Sequence, residues 1–289
     1  MYFHEILSKT LINMFLKLNF LIFFVTQKKM ILELAHIFAF TSLLLVCNWI
    51  SFGNENLGGL YTINMNDKQS DNYKYVFNWH PFMMIFGMLF CLVEGILSYK
   101  TFENTYSRNT VKLIHLSWQT LCVISMIIGL VAVFFSHNYP SGETYKPNLY
   151  SLHSWIGISV VTLYFFQYLF GIYTFFTPQK ISSIENRKRI APYHVFLGFF
   201  LLFATGFAVE TGIQEKLGFG LNCSGTIPTD KADTNPAEYY NDIPVVCKKG
   251  NWLGISVFLT IFFTSWTMME KMYPRRPVSS RYQQLDENI

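Results

Sequence analysis

The sequence predicts an all-α membrane protein with six transmembrane helices. Hydrophobic residues make up 51% of the 289 residues and charged residues only 14%, whereas soluble domains are about a quarter charged. None of the apolar stretches alternates as a membrane strand does, so helices are expected, because lipid cannot satisfy open backbone groups. Six stretches reach the roughly 20 residues that a spanning helix needs: 31–52, 79–99, 113–136, 154–177, 194–212 and 252–270.

The charge pattern predicts cytosolic termini. Six spans place both ends of the chain on one side, and 15 of the 22 lysines and arginines lie on that side, which the positive-inside rule assigns to the cytosol. A net charge of +4 and five cysteines argue against a basic nucleic-acid-binding protein and a disulfide scaffold. Residues 31–272 form the predicted six-helix domain and 273–289 a cytosolic tail. Residues 1–30 are an extension with three interpretations: an interfacial segment, a signal-like sequence, or a leader preceding a start at Met30.

Four histidines follow a pattern. His80, His115, His153 and His194 lie near the starts of the second to fifth spans. Because consecutive spans run in opposite directions, His80 and His153 share the non-cytosolic side, whereas His115 and His194 share the cytosolic side. We therefore expect two histidine pairs, one per leaflet, in a four-helix bundle formed by helices 2–5.

Paired histidines at membrane depth indicate b-type haem. Two axial imidazoles saturate the iron and leave electron transfer as the natural role, and bundles build such sites from facing helices. Gly157 and Gly198 each follow a histidine by four residues, on the face where a flat macrocycle needs room. Ordinary small-residue packing explains those glycines equally well. The two layers of histidines are expected to be roughly 20 Å apart.

Two other interpretations keep the histidines but not the haem. A divalent-metal transporter would use the pairs as zinc or copper ligands, although intramembrane carboxylates usually mark such ion pathways. A non-catalytic membrane module would have lost haem altogether, which the presence of all four histidines disfavours. A haem spectrum separates both from the electron-transfer interpretation.

Several motifs together resemble the cytochrome b561 family, whose members are six-helix, di-haem transmembrane reductases that use ascorbate. The resemblance covers about residues 31–272, and one position departs from many members, which have a second histidine where this chain has Gln119. The matching motifs are Phe77-Asn78-Trp79-His80-Pro81, Lys112-Leu113-Ile114-His115, Ser136-His137-Asn138, Tyr150-Ser151-Leu152-His153-Ser154-Trp155 and Pro192-Tyr193-His194.

The resemblance implies a cofactor, a reaction and partners. Two haem b groups per chain would be held by His80 with His153 and by His115 with His194. Electrons would pass from cytosolic ascorbate to monodehydroascorbate or a ferric chelate on the other side. The family likeness also implies a homodimer, and no nucleic-acid partner is expected.

Substrate positions follow from charge and from the resemblance. Ascorbate is an anion at neutral pH, so the donor site should be cationic. Lys100, Arg108 and Lys112 lie beside the cytosolic histidines, although the positive-inside rule alone also explains basic residues there. On the opposite side, the resemblance assigns substrate contact to His137 and Asn138; a solvated loop histidine is the alternative.

Three further features concern the loops and the ends of the chain. Cys223 and Cys247 share the longest non-cytosolic loop, either as a disulfide in an oxidising compartment or as two free thiols; Asn222 begins a weak glycosylation sequon there. The tail segment Tyr282-Gln283-Gln284-Leu285 resembles a tyrosine-based sorting signal read by clathrin adaptors. It favours an endosomal, lysosomal or secretory-vesicle membrane, with the plasma membrane as the alternative.

Intramembrane polar residues outside this pattern receive no catalytic role. His36 and Glu33 on the first span are expected to form an interfacial polar pair. Glu94 and Glu210 lie near span ends.

Overall fold

The part of the chain that the structure describes forms six long helices, and this number confirms the sequence prediction. A computed structural model describes residues 29–53, 55–61, 71–138, 147–178, 180–221, 223 and 243–272. No strand occurs within those ranges, and all six helices are long and apolar enough to cross a membrane. The helices are α1 (Lys29–Ile50), α2 (Tyr75–Thr101), α3 (Arg108–Asn138), α4 (Leu152–Phe176), α5 (Ile184–Gly220) and α6 (Val245–Met272).

Helices α2 to α5 form a bundle. Its core includes Met88 and Leu92 from α2, Met126 from α3, Tyr164 from α4 and Leu201 from α5. Helices α1 and α6 lie against one side of this bundle, on α2 and α5. This second core is formed by residues of α1, α2, α5 and α6 and includes Val46, Trp49, Leu89, Leu202 and Leu253.

The outer surface of the bundle is apolar, as a bilayer requires. Large side chains such as Phe166, Phe207 and Phe258 are more than 60% exposed. Polar contacts lie instead between helices: the Ser42 hydroxyl donates to the Ser256 hydroxyl over 2.9 Å between α1 and α6. Small polar residues of this kind allow transmembrane helices to approach closely.

Helix α2 changes its winding along its length. A 3₁₀ turn (Asp71–Asn78) leads into α-helix (Trp79–Met84), a π segment (Ile85–Cys91) and α-helix again (Leu92–Thr101). Gly87, within the π segment, lies against α3, where an added Cβ atom would come within 2.6 Å of the Ser125 Cβ atom. Close approach of α2 to α3 therefore depends on this glycine.

The loop between α1 and α2 is fixed by two residues of the 77–81 motif. The buried Asn78 amide donates to the carbonyls of Leu57 (2.9 Å) and Gly59 (2.7 Å). The Trp79 indole donates to the Tyr61 carbonyl over 3.0 Å. Asn78 and Trp79 thus hold the loop against the start of α2, just before His80.

One expectation about polar residues was wrong. His36 does not pair with Glu33, which lies 3.7 Å from Lys29. Instead, the His36 Nδ1 atom lies 2.8 Å from Glu94 and its Nε2 atom 2.9 Å from Thr101. Spacing along α1 suggested Glu33, which is close in sequence. Packing of α1 against α2 instead brings Glu94 and Thr101 within hydrogen-bond distance of the ring.

The segment between α5 and α6 is connected to α6 by a disulfide. Cys223 is bonded to Cys247, with the two Cα atoms 5.9 Å apart. The bridge connects the end of α5 to the first turn of α6. The sequon at Asn222, the sorting motif at 282–285 and residues 1–28 lie outside the described residues.

Removing this bridge is expected to destabilise the protein. A disulfide that closes a loop of this length contributes about 3 kcal/mol through the entropy of the unfolded chain. Replacing both Cys223 and Cys247 with serine should lower the melting temperature measured in detergent. Cys47→Ser, which removes a free exposed thiol, is the matched control; an equal loss in both proteins would contradict the assignment.

Candidate functional site: two histidine pairs

The structure brings the four pattern histidines together in two pairs. The ring centres of His80 and His153 are 6.0 Å apart, and those of His115 and His194 are 6.5 Å apart. In each pair one histidine comes from the α2–α3 hairpin and the other from the α4–α5 hairpin. The two sites therefore lie between the hairpins, near opposite ends of the bundle.

Backbone carbonyls orient three of the four rings. The Nδ1–H group of His80 donates to Gly129 over 3.1 Å, and that of His115 to Gly95 over 2.7 Å. The same group of His153 donates to Ala208 over 2.8 Å. These bonds fix the tautomer and leave Nε2 as the nitrogen available for another partner, an arrangement typical of histidines that bind metals.

His194 is held differently. Its Nδ1 atom is buried and has no hydrogen-bond partner among the described residues. Its backbone carbonyl instead accepts a hydrogen bond from the Gln167 amide over 2.7 Å. Gly171 on α4 leaves room for the ring, since an added Cβ atom there would lie 3.0 Å from it.

Aromatic side chains surround the pairs. Tyr99 and Phe175 contact the second pair, with centroid distances of 5.3 Å to His115 and 5.2 Å to His194. Phe77 lies 5.9 Å from His80 in the other pair. Both sites are thus formed by imidazole and aromatic rings in the interior of the bundle.

Comparison with known proteins identifies the family. Residues 79–220, which contain all four histidines, match the model of eukaryotic cytochrome b561. A probable ascorbate-specific transmembrane electron transporter of Oryza sativa subsp. japonica is 36% identical over 192 residues, which are 66% of this chain and 74% of the relative. The chain belongs to the cytochrome b561 family.

Two further cytochrome b561 relatives come from animals. A putative transmembrane ascorbate-dependent reductase of Caenorhabditis elegans is 34% identical over 197 residues, covering 67% of this chain and 69% of the relative. A human lysosomal membrane ascorbate-dependent ferrireductase is 38% identical over 148 residues, covering 51% and 59%.

The cytochrome b561 family implies haem b, and the residues of this chain fit that group. Two metal–imidazole bonds of about 2 Å each, with about 1 Å more from each bonding nitrogen to its ring centre, separate two axial rings by about 6 Å. Both pairs have that separation. Gly157 also leaves space beside His153, because a Cβ atom added there would meet nothing within 4 Å.

Cationic side chains gather at the end of the bundle that holds His115 and His194. Lys100 ends α2, and Arg108 and Lys112 lie in the first turns of α3. Among the described residues, none of the three forms a salt bridge with a carboxylate. The structure adds Arg187 from α5, whose charge acts on Lys112 together with that of Arg108. Sequence reasoning gave Arg187 no role beyond the positive-inside signal, because nothing in the sequence shows that its charge acts on Lys112.

His137 and Asn138 lie at the opposite end, near His80. The His137 ring is parallel to that of Phe77, with centroids 6.5 Å apart, and Asn138 accepts a hydrogen bond from Asn148 over 2.8 Å. The Lys216 ammonium lies 4.9 Å from the Phe77 ring centre. Sequence reasoning missed Lys216, since it lies far along the chain from His137.

Tyr150 and Ser151 explain the motif before His153. The Ser151 hydroxyl caps α4 in a reciprocal arrangement with Ser154, which fixes where the helix starts. The Tyr150 hydroxyl donates to Glu215 on α5 over 2.6 Å. Burial, together with the hydrogen bond and the charge of Glu215, raises the pKa of Tyr150 to about 12. Tyr150 is therefore neutral at physiological pH and remains a hydrogen-bond donor.

The space beside His153 gives a direct test of the haem assignment. Gly157→Leu would fill it, so we expect less haem at the His80–His153 site, measured as haem per chain. Gly218→Leu is the matched control, because an added Cβ atom there also meets nothing within 4 Å. Unchanged haem content in the Gly157 variant would show that the space serves another purpose.

Proposed function

We propose that this cytochrome b561 protein transfers electrons across a membrane, from cytosolic ascorbate to an acceptor on the other side. The observation that carries the proposal is the presence of two oriented histidine pairs, one towards each end of the bundle. The relatives support the donor, since three are named for ascorbate and for reductase or electron-transporter activity. The acceptor is monodehydroascorbate or a ferric chelate.

Each histidine pair would hold one haem b, which gives two per chain. His80 with His153 would hold the outer haem and His115 with His194 the inner one. In His80, His115 and His153 the carbonyl bonds leave Nε2 available for the iron. Bound haem supplies one-electron transfer. The protein holds three of the four imidazoles in one tautomer through hydrogen bonds to backbone carbonyls.

The cytosolic donor site is formed by Lys100, Arg108 and Lys112, with Arg187 beside them. Their charges attract the ascorbate anion to the end of the bundle where His115 lies. Tyr99 contacts the His115 ring and sits one residue before Lys100, so binding of the anion at this cluster brings it next to the inner site.

The acceptor site on the other side is formed by His137 and Asn138. Phe77 connects this site to the ligand pair, because its ring contacts both His137 and His80. A neutral imidazole at His137 hydrogen-bonds an ascorbyl radical or ligates a ferric complex. Lys216 supplies a positive charge that favours an anionic acceptor.

The membrane and the partners follow from the relatives and the tail. We place the protein in an endosomal, lysosomal or secretory-vesicle membrane with cytosolic termini; the lysosomal human relative supports this placement. A homodimer and recognition of Tyr282–Leu285 by a clathrin adaptor are part of the proposal. The metal-transporter alternative would rely on the same two histidine pairs, because the described residues contain no larger group of histidine, cysteine or acidic side chains able to hold a metal ion.

A haem count with histidine variants tests the assignment. The purified protein should contain two haems per chain, both reduced by ascorbate in a reduced-minus-oxidised absorption spectrum. His80→Ala or His153→Ala should remove one haem, and His115→Ala or His194→Ala the other. Folded protein without haem would overturn the proposal, and loss of both haems in every single variant would overturn the pairing.

The donor site is tested by removing charge. Lys112→Gln should raise the KM for ascorbate about fivefold, since a charge near the protein surface contributes up to about 1 kcal/mol to such an interaction. The rate is measured in liposomes with ascorbate on the cytosolic face. Lys180→Gln removes an exposed charge predicted on the same face and should leave KM unchanged. An equal rise in KM in both variants would show that surface charge in general, and not a specific donor site, attracts ascorbate.

A further inference from the structure

Polar side chains connect the two hairpins about one helical turn along α3 from His115. The Tyr164 hydroxyl on α4 donates to the Gln119 side-chain carbonyl on α3. One turn away, Thr120 and Tyr168 share a hydrogen bond of 2.9 Å between the same two helices. Such bonds are costly to leave unmade inside a membrane, so each one holds α3 and α4 at a defined separation.

The Gln119–Tyr164 bond connects to one of the histidine pairs through described contacts. Gln119 and Tyr164 are buried, with 8% and 3% of their surface exposed. The Gln119 amide nitrogen lies against Gly95 on α2, where an added Cβ atom would collide with it. Gly95 is the residue whose carbonyl accepts the hydrogen bond from His115. A continuous path of contacts thus runs from Tyr164 through Gln119 and Gly95 to His115.

This path has a physical consequence for the ligand. The bond from Tyr164 fixes the orientation of the Gln119 amide, because a buried amide oxygen needs a donor. The oriented amide in turn limits movement of Gly95 relative to α3. The Gly95 carbonyl therefore stays within 2.7 Å of the His115 Nδ1 atom, and a short bond at that position makes the imidazole a stronger electron donor to a metal.

We propose that Gln119 and Tyr164 are positioning residues for His115 and so set the reduction potential of the inner haem. The inference rests on the proposed function, because it requires the inner haem. Neither residue contacts substrate; both act through Gly95. A stronger donor stabilises the ferric form, so the Gln119–Tyr164 bond keeps the inner-haem potential lower than it would otherwise be.

The test compares two tyrosines on α4 whose hydroxyls bond to different residues of α3. Tyr164→Phe removes the hydroxyl bonded to Gln119, and Tyr168→Phe removes the hydroxyl bonded to Thr120. Gln119→Met is a second variant, which keeps side-chain length while removing the amide. Each is purified with its haem, and potentiometric titration is combined with electron paramagnetic resonance of the ferric haems. The haem that survives in His80→Ala identifies the inner signal.

Tyr164→Phe and Gln119→Met should raise the inner-haem potential. The ferric-to-ferrous ratio at a fixed ambient potential should fall about tenfold, which corresponds to about 59 mV for a one-electron couple. The inner ferric resonance should shift, while the outer haem and the Tyr168→Phe protein keep the values of the unmodified protein. An unchanged inner haem in both variants, or an equal shift in Tyr168→Phe, would overturn the inference. Absence of two haems from the unmodified protein would instead overturn the proposed function.

Discussion

The hydrogen bond from a histidine Nδ1–H group to a backbone carbonyl on the neighbouring antiparallel helix is the interaction on which both sites depend. A free imidazole rotates and exchanges tautomers, whereas a carbonyl partner holds one nitrogen and presents the other. In the α2–α3 hairpin this exchange is reciprocal: α3 supplies the carbonyl of Gly129 to His80, and α2 supplies that of Gly95 to His115. The pairing of α2 with α3 therefore also orients His80 and His115.

The α4–α5 hairpin repeats only half of this exchange. His153 donates to Ala208, whereas His194 has no such partner and is held through its own carbonyl by Gln167. Gly212 and Gly171 give the two rings room, since an added Cβ atom would lie 2.7 Å from His153 or 3.0 Å from His194. The two ends of the bundle thus differ in how firmly their ligands are oriented.

Much of the architecture can be predicted from hydropathy and from the alternating direction of the helices. Six spans and the pairing of His80 with His153 need only the order of residues along the chain. The carbonyl partners need more, because they depend on how far one helix is shifted along its neighbour. The same limit explains why the wrong partner was expected for His36 and why Arg187 was assigned only to the positive-inside signal.

Within the motifs, too, some features can be identified from the sequence and others depend on packing. His80 and Trp79 stand out in the sequence, but the bonds of Asn78 and Trp79 to the loop at residues 57–61 depend on tertiary packing. Gln119 could be noticed from sequence only as a departure from the family pattern. Its contacts with Tyr164 and Gly95 require the relative positions of three helices.

The reciprocal exchange within α2 and α3 also constrains how this protein can change. Each helix has to present a ligand near one end and a carbonyl near the other, on the same face. One residue inserted between His80 and Gly95 would turn the two ends of α2 by about 100° relative to each other. His80 and the Gly95 carbonyl could then no longer both face their partners, so one insertion would affect both sites. Insertions in the connecting loops have no such effect, because they do not change which residues of each helix share a face. The chain can therefore vary in length only outside the segments that join a ligand to the carbonyl it offers its neighbour.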